Sequence, residues 1–248
     1  MTFLRSFAVY FMTLTAAVLY WTVMLFPALF ALCCKPALRR KIYRRLILWS
    51  GIVIIRVAWR PFFRIRFEDR SGGKSAPGII VVNHRAATDA FLVAVMHESG
   101  AQTVNGWPMR VPIIGQVARL AGYPDITNVG FDRLAGCVRE LISAGDPLIS
   151  FPEGTRSESK RMNPFHSGVF QLAMEMELPV GMLCIAGNEF MPDRKFLFRE
   201  FRDVLIRRLP PVTAAEVRDF GSAFALKKEV FRRMEAELVQ MDEVLEHV

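Results

Sequence analysis

Two short stretches hold side chains whose types and spacing could do chemistry. The first is Val81-Val82-Asn83-His84-Arg85-Ala86-Ala87-Thr88-Asp89, in which a histidine leaves an apolar run and an aspartate follows five places later. A spacing of five does not bring two side chains together on one helical face, where neighbours stand three or four apart. They meet only across a turn, which a strand-to-helix junction supplies. An aspartate accepting from one imidazole nitrogen would fix the tautomer and leave the other nitrogen free as a base. The plainer possibility is that Thr88 or Asp89 caps a helix and His84 is a loop histidine. The second stretch is Phe151-Pro152-Glu153-Gly154-Thr155-Arg156-Ser157, where an apolar run exits directly into an acid, a turn and an arginine. Taken alone, it is equally an ordinary strand-to-loop exit with a solvated arginine.

The elements that must position these residues read as an α/β body. Gly78 to Val82 is a β-branched run after the turn-rich Ser71 to Pro77, and reads as a buried strand with His84 just past its end. Ligand sites of open α/β sheets lie at that carboxyl edge of the strands. Patterning predicts helices over 89–97, 131–144 and 167–177, and strands over 147–151, 179–186 and 203–207. Thr213 and Glu216 have capping-box spacing and open a C-terminal helical region, broken near Gly221 and resuming to about Glu246. No internal repeat or low-complexity linker interrupts this order.

Charge is distributed unevenly. Of the formal +8, residues 35–70 carry eleven Lys/Arg against only Glu68 and Asp69, while residues 71–248 sum to −2. A nucleic-acid binder would spread basic residues over its folded body, so no nucleic-acid partner is expected. The basic segment instead suits anionic lipid headgroups, at roughly 1 kcal/mol per Lys/Arg near such a surface. The four cysteines, Cys33, Cys34, Cys137 and Cys184, have no metal-ligand spacing and no histidine cluster, so neither a disulfide framework nor a metal is expected. Cys33 and Cys34 suit small apolar places in a membrane better than lipidation sites.

Ahead of the basic segment, Ser6 to Cys34 is 29 residues without a charge. Phe7 to Phe26 alone is long enough to cross a bilayer core before Pro27. A cleaved signal peptide would have a shorter apolar region and a more basic start than Arg5. Lys35, Arg39, Arg40, Lys41, Arg44 and Arg45 follow, which places this flank and the remaining chain in the cytoplasm by the positive-inside rule. Leu46 to Trp59 is apolar but only fourteen residues long, and reads as an interfacial helix or the return arm of a membrane-embedded helical hairpin. Arg60, Arg64 and Arg66, interleaved with Phe62, Phe63, Ile65 and Phe67, continue a membrane-surface stripe or begin the first strand. The expected organisation is membrane-anchoring helices over 1–59 and an α/β body over 60–248, held at the cytoplasmic face of a membrane (the inner membrane, in a bacterium).

Taken together, the N-H-x-x-x-x-D of Asn83 to Asp89 and the F-P-E-G-T-R-S of Phe151 to Ser157 resemble the glycerolipid acyltransferases, specifically the lysophosphatidic acid acyltransferase family. The likeness extends to Pro108–Gly122, to Pro164-Phe165 with Gly168, and to Leu178-Pro179-Val180. It implies a mixed, mostly parallel sheet flanked by helices and transfer of a fatty acyl group from acyl-CoA or acyl carrier protein to a lysolipid hydroxyl. It also implies no resident cofactor, with the acyl thioester as co-substrate. His84 would be the general base and Asp89 its orienting partner. The turn at Glu153, Gly154, Thr155 and Arg156 would form the acceptor's headgroup pocket: Gly154 for close backbone approach, Thr155 for its hydroxyl and Arg156 for a fork suited to phosphate. Glu153 would brace the arginine or the turn, and Asn83 and Arg85 stand with them as substrate-binding residues.

Three positions depart from the family's pattern. Asn128 stands where an arginine is usual, Asn105-Gly106 where a lysine is usual, and His166 where the Pro-Phe-x-x-Gly segment often has lysine. Arg110, Arg119 or Arg133 would have to compensate. A lysolipid with another headgroup is therefore the competing acceptor. Two different activities also compete with acyl transfer: a thioesterase activating water with His84 and Asp89, and a non-catalytic lipid-binding protein. No G-x-S-x-G nucleophile elbow is present to support a serine hydrolase.

Overall fold

In the computed structural model the described residues are 2–73, 77–127 and 130–247. They form a six-stranded sheet in the order β1-β6-β5-β2-β4-β3, with β1 Ile65–Asp69, β2 Ile79–Val82, β3 Ala101–Gln102, β4 Leu148–Ser150, β5 Val180–Ala186 and β6 Val204–Val212. All neighbours are parallel except β5 and β6. The sheet is therefore mixed and mostly parallel, flanked by helices, as the resemblance implies. The middle strands read as unbroken apolar runs because both their faces are covered. The two-residue pleat sorts their side chains. Ile79, Val81, Met182 and Cys184 point to one core cluster, and Ile80, Val82, Leu183 and Ile185 to the other.

The first cluster is closed by α7 (Phe131–Ser143), α8 (Gly168–Glu175), α9 (Ala214–Asp219) and α10 (Ala223–Glu246). The capping box opens α9 as predicted, with Glu216 N donating to Thr213 Oγ1 at 3.2 Å and Thr213 N to Glu216 Oε2 at 2.7 Å. Ser222 then caps α10 through the Ala225 N–H.

The second cluster is closed by the N-terminal helices. α1 (Thr2–Val23) ends four residues before Pro27, which lacks the N–H that would bond back to Val23. After α2 (Leu25–Leu32), α3 (Pro36–Val53) starts with proline in its first turn, where the missing N–H costs nothing, and runs on as a π-turn over Ile54–Trp59. The return arm thus begins ten residues earlier than the apolar run at Leu46, and the basic flank from Arg39 to Arg45 is itself helical. Tyr20 OH donates to Leu46 O at 2.9 Å and Trp59 Nε1 to Thr13 Oγ1 at 2.9 Å, so α1 and α3 run antiparallel as a hairpin. Among the described residues α1 is the one helix long and apolar enough to cross a membrane, and only 17% of its apolar window is buried in the protein.

Val9, Ile52, Ile54, Ile55 and Trp59 are all buried against the sheet face. At about 1.5–3 kcal/mol per buried side chain, this contact is comparable with the whole net stability of a domain, roughly 5–15 kcal/mol. The hairpin is one layer of the fold.

Other boundaries differ from the patterning. The predicted helix over 89–97 is a single turn, α4 (Asp89–Leu92), followed by a 3-10 turn over Val93–Met96 and a left-handed His97 with φ 55°. β3, α5 (Gly106–Arg110) and α6 (Ile114–Ala121) occupy a stretch for which periodicity predicted no element.

Gly78 shows how tightly β2 is held. A Cβ there would lie 2.3 Å from Pro179 O, the same carbonyl that accepts the Ile79 N–H at 3.0 Å. Gly78→Ala must push β2 away from β5 and is expected to cost about 1–3 kcal/mol. Chemical denaturation of the detergent-solubilised protein measures this, and an unchanged midpoint would mean that β2 is not clamped here.

Candidate active site

His84 follows β2 by two residues, and its Nδ1 lies 2.9 Å from Asp89 Oδ2. The sharp Arg85–Thr88 turn brings the two together, and Asp89 is fully buried while the His84 side chain remains 20% exposed. Oδ2 also accepts the Ala86 N–H at 2.8 Å. Because a carboxylate only accepts, Nδ1 carries the proton of this bond, and in the neutral imidazole Nε2 then keeps its lone pair. The ring packs on Phe151, with centroids 4.7 Å apart. Contact across the turn, and not a mere helix cap beside a loop histidine, is what the structure holds.

The second stretch lies alongside. Ser157 N donates to His84 O at 2.8 Å and Glu158 N to Arg85 O at 3.2 Å, so the loop after β4 is zipped to the loop after β2. Glu153 is only 3% exposed. Its Oε1 accepts the His84 N–H and its Oε2 the Asn163 N–H, each at 2.7 Å. It therefore braces the loop backbone and not Arg156. Burial pushes its carboxyl from the ordinary 4.5 up to about 7, against the opposing pull of those two N–H groups.

Gly154 is left-handed at φ 73°, and a Cβ on it would approach His166 Nε2 to 3.0 Å. The left-handed backbone favours glycine, and a Cβ would press on the His166 ring. Gly154 O accepts from Asn105 Nδ2 at 2.9 Å. Thr155 is exposed. Arg156 Nη2 stands 3.7 Å from Glu158 Oε1, and its buried Nη1 has no hydrogen-bond partner among the described residues. Glu158 Oε2 accepts from Arg194 Nε at 2.7 Å.

Two expected substrate-binding residues are turned away from this surface. Arg85 is fully buried. Its guanidinium meets Asp242 at 2.8 and 2.7 Å, Lys160 O at 2.7 Å, and Glu189. It ties the His84 loop to α10, and a substrate would have to break this cluster to reach it. Asn83 is also fully buried, exchanging both amide functions with Ile185 N and O at 2.7 and 2.9 Å, which extends the β2–β5 pairing beyond Val82. Both placements have one cause: at the end of a central strand, backbone and ionic groups without water must be satisfied internally.

One residue absent from the sequence-level set joins the pair. Asn188, two residues beyond β5 and fully buried, donates from Nδ2 to Asp89 Oδ1 and, at 3.1 Å, to Thr88 Oγ1. A lone asparagine in a loop carries no motif, so only the sheet order could have revealed it. Of the proposed compensating arginines, Arg119 and Arg133 line a separate cleft with Arg40, Arg44 and Glu140. Asn128 lies outside the described residues. Among the described residues no cluster has metal-ligand geometry.

The raised Glu153 value sets a pH dependence. The folded chain holds this proton to higher pH than the unfolded chain, so the contribution to stability is complete below about 4.5 and is lost as pH rises through about 7. The unfolding midpoint of the parent protein should fall between these values by more than that of Glu153→Gln, measured in one buffer series. Parallel curves would remove Glu153 as the titrating group.

Comparison with known proteins fits this geometry. A family model described as Acyltransferase matches residues 64–186, spanning both stretches. The chain is 25% identical over 171 residues to a 1-acyl-sn-glycerol-3-phosphate acyltransferase of Cocos nucifera, covering 57% of this chain and 54% of that protein. It is 26% identical over 161 residues to the chloroplastic 1-acyl-sn-glycerol-3-phosphate acyltransferase BAT2 of Brassica napus, covering 62% and 45%. The chain thus spans about half the length of these curated relatives. The crystal structure of the 1-acyl-sn-glycerophosphate (LPA) acyltransferase PlsC from Thermotoga maritima superposes with a TM-score of 0.78 at 22% identity, covering 97% of this chain and 96% of that one. That likeness shows the fold, and the matched model places residues 64–186, which carry the strands and loops that assemble His84 and Asp89, in the acyltransferase family.

Proposed function

We propose that the chain is a membrane-bound O-acyltransferase that moves a fatty acyl group from an acyl thioester, acyl-CoA or acyl carrier protein, to the hydroxyl of a lysophospholipid such as 1-acyl-sn-glycerol-3-phosphate. The observation that carries this is the 2.9 Å contact between His84 Nδ1 and Asp89 Oδ2 in the acyltransferase fold. His84 Nε2 takes the proton of the lysolipid hydroxyl as its oxygen attacks the thioester carbonyl carbon. Asp89 stabilises the imidazolium that forms. The tetrahedral oxyanion collapses, the C–S bond breaks, and the imidazolium returns the proton to the departing thiolate. The products are an ester and a free thiol, with no acyl-enzyme required. Backbone N–H groups of the Glu153–Arg156 turn stabilise the oxyanion, an effect worth about 10²–10³ in rate per donor.

In this reading Arg156 binds the acceptor's headgroup, supported by the unpartnered Nη1 beside the turn. Gly154 and Thr155 shape the same pocket. Glu153, by its two backbone bonds, positions the His84 loop. The α1–α3 hairpin holds the site at the lipid surface, with Lys35 to Arg45 on the cytoplasmic side. A second reading, a lysolipid without a phosphomonoester, is favoured by one observation: Asn105 satisfies the Gly154 carbonyl where the family resemblance calls for a cation.

The test is acyl transfer by purified protein in mixed micelles, with labelled acyl-CoA or acyl carrier protein and a panel of lysolipids. His84→Ala is expected to lower kcat by about 10²–10⁴. Free fatty acid in place of diacylated product would turn the reading into a thioesterase. Failure to acylate any acceptor would overturn it. Arg156→Ala is expected to raise the KM for a phosphate-bearing acceptor about tenfold or more, the worth of a charge-assisted hydrogen bond, and to leave the acyl-donor KM alone. An unchanged acceptor KM removes Arg156 from the headgroup pocket. Equal turnover of neutral and phosphate-bearing acceptors selects the second reading.

A further inference from the structure

Asp89 is held from two sides. On Oδ2 it accepts from His84 Nδ1 and Ala86 N, and on Oδ1 it accepts from the amide of Asn188. That amide is oriented without ambiguity: Asp89 Oδ1 only accepts, so the nitrogen must face it. The same Nδ2 reaches Thr88 Oγ1 at 3.1 Å, and Thr88 passes its own proton to Met191 O at 2.8 Å. The chain of bonds therefore runs from the imidazole through the carboxylate and amide to a backbone carbonyl, and one of Asp89's three donors comes from the far side of a different loop.

Two features separate Asn188 from a residue that merely fills space. It is fully buried, and its Oδ1 is buried with no partner among the described residues. An apolar side chain of similar volume would avoid that unmet acceptor, which opposes folding. What the amide contributes is its nitrogen, which donates to Asp89 and Thr88. With Oδ1 of Asp89 held by Asn188, rotation of the carboxylate about its last bond is blocked, and Oδ2 stays in line with His84 Nδ1.

We propose that Asn188 is a positioning residue, which locks the Asp89 carboxylate so that His84 keeps its proton on Nδ1 and presents Nε2 as the base. The inference rests on the acyl-transfer reading for its kinetic consequence, but the tautomer it describes is measurable without turnover.

Asn188→Asp is the decisive variant because it keeps the shape and makes the donor depend on pH. Two carboxylates at hydrogen-bond distance cannot both ionise freely. As pH falls, one of them holds a proton and the lost donor is restored. As pH rises, like charges face each other and Asp89 is driven off line. Its kcat relative to the parent enzyme at the same pH is expected to be down about tenfold or more near pH 8 and to recover toward about pH 5.5, with both KM values unchanged. Asn188→Leu, which keeps the volume and cannot donate, should show a deficit that pH does not repair. Independently of activity, ¹⁵N-histidine NMR of the folded protein reads the His84 tautomer. With four histidines in the chain, single His→Gln variants assign it. The parent should hold the proton on Nδ1, and Asn188→Leu should lose that preference.

If the rate ratio is flat with pH and the tautomer is unaltered in both variants, Asn188 is structural only and the proposal is overturned. If the tautomer shifts while the parent protein acylates no lysolipid, the positioning role stands and the acyl-transfer reading falls. Should Asn188→Asp fail to fold, the tautomer in Asn188→Leu decides alone.

Discussion

Everything at the site depends on a bond between two residues that no regular element would bring together. His84 and Asp89 are five apart, and neither a strand nor a helix places such neighbours in contact. The chain must turn sharply between them and be held there. The holding comes from other loops: Glu153 grips the His84 N–H, Ser157 and Glu158 pair with the His84 and Arg85 carbonyls, and Arg85 anchors the turn to Asp242 on α10. These loops leave β2, β4 and β5, which are adjacent at the centre of the sheet and all parallel. Only parallel neighbours present their carboxyl ends at one edge. The contact between His84 and Asp89 is thus a consequence of sheet topology, and the ionic cluster beneath it is what stabilises an otherwise unsupported turn.

How much of this the sequence disclosed follows from what each kind of residue signals. The central strands were legible because burial on both faces leaves an unbroken apolar run, as in Ile79–Val82 and Val180–Ala186. Their order was not, since the antiparallel β6 inserts between β1 and β5 through contacts far apart in the chain. His84, Asp89 and the Glu153–Arg156 turn stood out by type and spacing. Asn83 and Arg85 were grouped with them because adjacency in sequence looks the same whether a side chain faces substrate or core. Burial separates them, and burial alternates residue by residue at a strand end. Asn188 was invisible for the converse reason: its role comes from a contact spanning 99 residues, with no local pattern. The short α4 was overestimated because its apolar composition continues after its hydrogen-bond geometry has changed to 3-10.

The Arg156 side of the loop cluster is electrostatically economical. Around the Gly154 turn the described structure offers Arg156, with Arg194 bound to the other oxygen of the same Glu158. One carboxylate thus lies between two guanidiniums, and it sits at a left-handed φ of 51° that a non-glycine residue adopts only under local constraint. Asn105 and His166, where the resemblance leads one to expect lysines, spend their side chains on the turn itself, the first bonding Gly154 O and the second packing on Gly154. The turn's shape is therefore secured by Asn105, His166 and Glu153, and Arg156 shares Glu158 with Arg194. Any further anion brought to this turn would meet guanidiniums that Glu158 already engages, and a neutral group would leave that arrangement intact.

The α1–α3 hairpin and the loops around His84 are mechanically continuous. Ser6 and Tyr10, in the first turns of α1, bind the loop that follows β5: Phe198 N donates to Ser6 Oγ at 2.9 Å, and Tyr10 OH donates to Phe196 O at 3.0 Å. That loop begins with Asn188 and Glu189, the partners of Asp89 and Arg85. The opposite face of α1 leaves Phe3, Phe7, Phe11, Leu14 and Leu19 exposed, a surface too apolar for water and suited to acyl chains. Any surface that seated this face would therefore also fix the height and tilt of the sheet's carboxyl edge, with no linker to absorb the constraint.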